Sequence, residues 1–245
     1  MPTGRMNAPS RNCRDALIPT APGPCVRLIL PASAAGRCIV DLETATGGPD
    51  MADRSGLLIL VGAATPPGRL AAALATAAEA ARAGHPDIAV DILNLADAPV
   101  ETCDGRPLDA YGQPTREAVA RIDRAAAVLI GAPVYRASYP GVLKNLLDVT
   151  PVEALQNKPV GIVAMGGSPH HYLGVDTQLR QVLGWFGALV APTSVYLTSG
   201  DFRDGQLASE TARGDLAALS ETLITLSARI DPASLGPLPL AAKLT

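Results

Sequence analysis

The sequence of 245 residues lacks long apolar runs, an excess of charge of one sign, and aromatic residues beyond 3%. No apolar stretch approaches the roughly 20 residues needed to cross a bilayer, so no membrane-spanning helix is expected. The net charge of −3 and the absence of like-charge blocks argue against a nucleic-acid partner. With 48% hydrophobic residues, the chain can bury a sizeable core, and a globular protein is expected.

Cysteine is also scarce. Cys13, Cys25 and Cys38 lie in the N-terminal region, and Cys103 stands alone in a polar loop. Because there is no CxxC pair and no ligand-like spacing, neither a metal site nor a disulfide framework is predicted, and a cytoplasmic location is expected. Cys103 has no histidine near it in sequence and no GxSxG motif is present, so nucleophilic catalysis is not expected.

The N-terminal region shows neither helical nor strand periodicity. Residues 1–54 are predicted to be a disordered extension without a recognisable secretory signal. Met51 lies just before the first convincing strand and is an alternative start of translation. Residues 55–232 are predicted to form one domain, followed by a flexible tail over residues 233–245.

From residue 56, apolar runs of strand length alternate with amphipathic helical stretches. This alternation is typical of parallel βαβ units and predicts an α/β, doubly wound, five-stranded parallel sheet of order 2-1-3-4-5. The predicted strands are 57–62, 88–93, 126–132, 159–165 and 188–197, and the predicted helices include 69–83, 139–149 and 207–230. Ligands of such sheets bind beyond the carboxyl ends of the strands, so the site is expected in the loops that follow them.

The loop after the first strand can bind a phosphate. Backbone N–H groups at the start of the next helix and the Arg69 guanidinium suit an anion, although Pro66 and Pro67 remove two donors. No GxGxxG or Walker pattern is present, and an ordinary turn with Arg69 exposed is the alternative. The candidate binding residues in this loop are Ala63, Ala64, Thr65, Gly68, Arg69 and Leu70.

Two further loops suit a flat heterocycle. Pro133, Val134, Tyr135 and Arg136 follow the third strand, where an extended backbone can lie against a ring and Arg136 offers positive charge; simple packing of Tyr135 is the alternative. Gly166, Gly167 and Ser168 follow the fourth strand, where residues lacking a large side chain permit close approach to a ligand.

Reactive side chains are few near these loops. His170 and His171 lack carboxylate or thiol neighbours at ligand spacing, so a metal site is not predicted, and their use in acid–base catalysis is the weaker alternative. Asp176 is expected to cap or pair on the following helix. A crevice that binds a phosphate and a ring but offers no reactive group suits a cofactor that carries the chemistry, and flavin mononucleotide (FMN) has that shape.

Three segments resemble one known family: VGAATPPGR at 61–69, APVYRASYPGVLKNLLD at 132–148 and GGSPHHYLGVD at 166–176. They are similar to the NADPH-dependent FMN reductases, which are flavodoxin-like. Within that family the likeness is greatest to the FMN reductases of two-component alkanesulfonate monooxygenase systems. The resemblance covers about residues 56–200, and the second segment is its most specific part.

The resemblance implies that FMN phosphate binds around Ala63 to Leu70 and that the ring lies against 133–136 and 166–168. NADPH or NADH would pass a hydride to flavin N5 without a catalytic side chain, and reduced FMN would leave for a partner monooxygenase. A homodimer or homotetramer is expected. Tyr139 matches an inserted tyrosine that forms a π-bulge in the related reductases, where it would assist flavin release.

The first loop departs from the family pattern, GS-x-x-x-x-S-R-S. Ala63, Gly68 and Leu70 stand where hydroxyls are expected, whereas Arg69 is retained. Weak, dissociable binding of FMN is therefore predicted. One alternative is a flavoprotein with tightly bound FMN that reduces quinones, azo compounds or metal oxyanions. A second alternative is a cofactor-less flavodoxin-like interaction protein. Arg136 and Arg203 are candidates for contact with a 2′-phosphate.

Overall fold

The computed structural model describes residues 54–65, 68–231 and 235–237. The predictions for the N-terminal extension, for Met51 as a start and for most of the C-terminal tail fall outside the described residues, as do Pro66 and Pro67. Among the described helices, none is long and apolar enough to cross a membrane.

A parallel sheet of order β2-β1-β3-β4-β5 forms the centre of the domain, and β6 also pairs with β4. This arrangement confirms the predicted doubly wound fold. The strands are β1 (Leu57–Val61), β2 (Val90–Asn94), β3 (Ala127–Pro133), β4 (Pro159–Met165), β5 (Leu189–Val190) and β6 (Val195–Leu197), and β7 (Phe202–Arg203) and β8 (Gln206–Leu207) form a separate hairpin. The helices are α1 (Arg69–Gly84), α2 (Gln113–Arg124), α3 (Gly141–Val149), α4 (Tyr172–Trp185) and α5 (Glu210–Arg229).

Both faces of the sheet are covered by helices. Leu58 and Leu60 of β1 belong to an apolar cluster shared with α2, α3 and α4. Leu57 and Ile59 belong to a second cluster shared with α1 and α5. Because each face of a parallel strand is buried, β1 is apolar at every position rather than at alternate ones.

The predicted fifth strand, 188–197, is divided into β5 and β6. β5 pairs with the start of β4 and β6 pairs with its end. Pro192 lies between the two and has no N–H to donate, so the chain leaves the hydrogen-bonded ladder there. The prediction of one continuous strand was wrong at this point.

A buried lysine lies at the amino end of the parallel sheet, directly before β4. Lys158 is 1% exposed, and its Nζ donates hydrogen bonds to the carbonyl of Ile122 and, at 3.0 Å, to that of Asp123. Both carbonyls belong to the last turn of α2, so the lysine caps this helix. Burial and the nearby guanidinium of Arg54 lower the pKa of Lys158 to about 6.

Candidate functional site

A cavity of about 200 Å³ lies at the carboxyl edge of the sheet. The ends of β1, β2, β3 and β4 meet there because β1 pairs with β2 and β3, and β3 pairs with β4. Among the described residues, the cavity is lined by Val61, Ala63, Thr65, Gly68, Arg69, Leu70, Ala71, Asn94, Pro133, Tyr135 and Met165. The loops after the first and third strands, both singled out from the sequence, therefore come together in one cavity.

The start of α1 supplies backbone donors to this cavity. Gly68 is the N-cap residue, and no side chain caps the helix. The first intrahelical bond runs from the Ala72 N–H to the Gly68 carbonyl at 3.0 Å, so the preceding N–H groups have no partner within the helix. Together with the positive end of the helix dipole, these donors can bind an anion.

Arg69 adds a full positive charge at the same helix end. Its side chain is exposed, and its Cζ lies 5.8 Å from the ring centroid of Phe202 on β7. This distance is within the range of a cation–π contact. Sequence reasoning missed Phe202, because nothing in the local pattern indicates that the hairpin packs against the start of α1.

Asn94 and Met165 also line the cavity and were not predicted. Each is the last residue of its strand, and in the predicted strand order both positions fall at the carboxyl edge. Because ligands of such sheets bind beyond the carboxyl ends of the strands, the strand order could have identified both residues. Asn94 donates to Asp97 Oδ2 at 2.9 Å and accepts from the Ala96 N–H at 3.2 Å, so its amide is held by the loop that follows β2.

The loop after β3 presents Tyr135 at the cavity. Tyr135 is 46% exposed, and it exchanges two backbone hydrogen bonds with Ser138, of 2.7 and 2.9 Å. Between them, Arg136 and Ala137 have φ values of 51° and 61°. The four residues thus form a tight turn of type I′ geometry. Val134 and Arg136 lie outside the cavity lining.

The loop after β4 does not contribute to this cavity. Gly166, Gly167 and Ser168 lie outside the cavity lining, as does Ala64 of the first loop. A Cβ at Gly166 would lie 1.9 Å from Tyr196 Oη, which donates to the Ser168 carbonyl at 2.7 Å. Packing of Tyr196 therefore explains Gly166 without any ligand, whereas Gly167 has open space around it.

The polar residues after this loop lie in a 3₁₀ turn and in α4. His170 and His171 lie exposed in a 3₁₀ turn that precedes α4. Within the part of the chain that is described, no group of three metal-ligating side chains is present. Asp176 pairs with Arg180 Nε at 2.9 Å, in agreement with the prediction that it pairs on its own helix.

Tyr139 does not lie in a helix. The prediction placed the helix start at residue 139, but α3 begins at Gly141, with Pro140 as its N-cap residue. Proline suits this position because its φ of −65° is that of an extended lead-in and its missing N–H costs nothing there. α3 is a regular α-helix, so the π-bulge expected at Tyr139 is not formed. Burial raises the pKa of the Tyr139 hydroxyl.

The donors and the size of the cavity fit FMN in part. Backbone N–H groups, the Thr65 hydroxyl and Arg69 suit a phosphate, while Pro133 and Tyr135 offer apolar surface beside it. Pockets that enclose a whole ligand usually measure about 300–1,000 Å³, so a cavity of about 200 Å³ encloses only part of a molecule of this size.

Known structures share this architecture. An oxidoreductase from Corynebacterium diphtheriae is 21% identical with a TM-score of 0.59, and the match covers 73% of this chain and all of that chain. The apo form of the NADH:FMN oxidoreductase EmoB is 24% identical with a TM-score of 0.57, covering 69% of this chain and 90% of the other. At these identities the likeness establishes the fold alone.

Sequence relatives are more informative. An NAD(P)H-dependent FAD/FMN reductase from Geobacillus thermodenitrificans is 36% identical over 136 residues, which are 55% of this chain and 74% of the relative. The NADH-dependent FMN reductase SfnF of Pseudomonas fluorescens is 42% identical over 100 residues, 41% of this chain and 54% of its own length. The present chain thus spans only about half of this second relative.

A family model covers most of the described domain. The model described as NADPH-dependent FMN reductase matches residues 56–202, which contain β1 to β6, α1 to α4 and every residue that lines the cavity. This match includes more than half of the chain. The chain therefore belongs to the NADPH-dependent FMN reductase family.

Proposed function

We propose that this protein reduces FMN with NADPH or NADH and releases reduced FMN to a partner flavin-dependent monooxygenase. The family supplies the reaction class, an NAD(P)H-dependent FMN reductase. The observation that carries the proposal of release is the phosphate end of the cavity. This end of the cavity contains Arg69 and the first N–H groups of α1, which have no partner within the helix. Ala63, Gly68 and Leu70 lie beside them and offer no hydroxyl.

The residues of this chain bind and orient rather than react. When bound, FMN supplies the ring that accepts a hydride at N5. Arg69, Thr65 and the first N–H groups of α1 would hold the phosphate, and Pro133 and Tyr135 would support the remainder of the flavin.

The partner monooxygenase and the oligomeric state are also part of this proposal. The resemblance of 132–148 to the reductases of two-component systems and the cavity volume of about 200 Å³, which encloses only part of FMN, support delivery of reduced flavin to a second protein. We also propose that the chain forms a homodimer or homotetramer and acts in the cytoplasm. The proposed role of Tyr139 in flavin release would operate from the loop before α3, not from a π-bulge.

Titration of the apo-protein with FMN tests dissociable binding. We expect a Kd in the micromolar range, because each missing charge-assisted hydroxyl contact removes about 1.5–3 kcal/mol of phosphate binding. Steady-state oxidation of NADPH or NADH is then expected to saturate with free FMN, as it does for a second substrate.

Different results would favour the other two functions. Flavin that persists through extensive dialysis, together with quinone reduction without added FMN, would support the tightly bound flavoprotein. No NAD(P)H oxidation at any FMN concentration, with no FMN-induced rise in Tm, would support the cofactor-less interaction protein.

A further inference from the structure

The Tyr135–Ser138 turn is strained. Its two central residues, Arg136 and Ala137, lie in the left-handed region, with φ values of 51° and 61°. Type I′ turns usually place Asn, Asp or Gly at these positions, because a Cβ in this conformation lies too close to the following carbonyl oxygen. The turn therefore needs support from elsewhere in the protein, since strain of this kind persists only where surrounding contacts determine the conformation.

The support comes from α4. Gln178 accepts a hydrogen bond from the Ser138 hydroxyl at 2.6 Å, and its Nε2 donates to the Ala137 carbonyl at 3.3 Å. The two contacts together fix the orientation of the amide. One turn earlier, Gly174 lies so close to the same carbonyl that a Cβ there would be 3.0 Å from the Ala137 oxygen. The first turns of α4 thus pack directly on the strained turn.

We propose that Gln178 is a positioning residue for flavin binding. It does not line the cavity, but the turn that it holds carries Tyr135, which does. By keeping Arg136 and Ala137 left-handed before the ligand arrives, Gln178 presets Tyr135 at the mouth of the cavity. If only a fraction of molecules held the turn in this form, the apparent Kd would rise by the inverse of that fraction. This inference rests on the proposed function, since it concerns the same flavin site.

The test is a double-mutant cycle read by FMN fluorescence titration of the apo-protein. Gln178→Ala is expected to raise the Kd for FMN by about 5- to 150-fold, the range that loss of two net hydrogen bonds implies. Ala137→Gly removes the backbone strain at one of the two left-handed positions, so in the Gln178→Ala background it should lower the Kd substantially toward the wild-type value. Ala137→Gly alone should change the Kd by less than about twofold.

Gln181→Ala is the matched control. Gln181 is exposed on the same helix, about one turn further on, and its replacement should leave the Kd unchanged. Thermal unfolding of each variant provides a second readout. If loss of α4 stability caused the effect, glycine at 137 would not rescue binding, and that result would overturn the proposal. An unchanged Kd in Gln178→Ala would also overturn it. A wild-type protein that fails to bind FMN would instead refute the proposed function itself.

Discussion

Replacing Arg69 with alanine is expected to raise the half-saturating concentration of FMN by about 10- to 100-fold and to leave kcat within about twofold of the wild type. A charge-assisted contact to phosphate contributes about 1.5–3 kcal/mol, and 1.4 kcal/mol corresponds to a factor of ten. Arg69 lines the cavity at the N-terminal end of α1, beside the backbone donors. Because the phosphate takes no part in hydride transfer, its contacts act on binding and not on the chemical step. Steady-state NAD(P)H oxidation at varied FMN measures both quantities.

Two further variants control this experiment. Arg69→Lys keeps the positive charge but loses the planar pair of donors. Its half-saturating concentration of FMN should therefore lie between those of the wild type and Arg69→Ala. Arg116→Ala removes an exposed arginine from α2, outside the cavity lining, and should leave the use of FMN unchanged. If Arg69→Ala has no more effect than Arg116→Ala, the loop after β1 is an ordinary turn, and the phosphate binds elsewhere.

The free energy of unfolding is expected to rise with pH between about 6.5 and 9.5. Burial and Arg54 lower the pKa of Lys158 to about 6 in the folded protein, whereas an exposed lysine titrates near 10.5. Between these values the unfolded state binds one proton more than the folded state. The free energy of unfolding therefore increases by up to about 1.4 kcal/mol per pH unit for this single group. Below pH 6 both states bind the proton, and the destabilisation by Lys158 has its full value.

Lys158 is buried but hydrogen-bonded, because its Nζ donates to the carbonyls of Ile122 and Asp123. Urea unfolding at several pH values measures the slope. Asp91 and Glu221, whose pKa values are lowered by Arg121 and His85, titrate far below this window. Lys158→Met should flatten the profile, while a flat wild-type profile would show that Lys158 stays charged when buried.

The alternation of apolar runs and amphipathic stretches was sufficient to predict the doubly wound sheet. β1, β3 and β4 are buried on both faces, so each reads as a continuous apolar run that only a parallel sheet explains. Local details were harder to predict. Pro192 divides the predicted fifth strand, and Pro140 shifts the start of α3 to Gly141. Both effects come from the fixed φ and the missing N–H of a single proline, which hydrophobic periodicity does not reveal.

The site was predictable to the extent that it follows from strand order. Ala63, Thr65, Arg69, Pro133 and Tyr135 line the cavity because the loops after β1 and β3 must meet at one edge of the sheet. Gly166 shows the limit of such reasoning. A glycine near a site suggests close approach of a ligand, but here the phenol of Tyr196, 30 residues later in the chain, occupies the space of its missing side chain.

The sequence by itself determined the fold and the edge of the sheet where the cavity lies, and it shows Arg69 beside positions that lack hydroxyls. These follow from hydrophobic periodicity and from residue chemistry, which are local properties. Only the tertiary structure decided that Phe202 packs beside Arg69, that Gln178 hydrogen-bonds the strained turn, and that the cavity measures about 200 Å³. Each of these depends on contacts between elements distant in the chain, and their register and packing are set only when both faces of the sheet are covered.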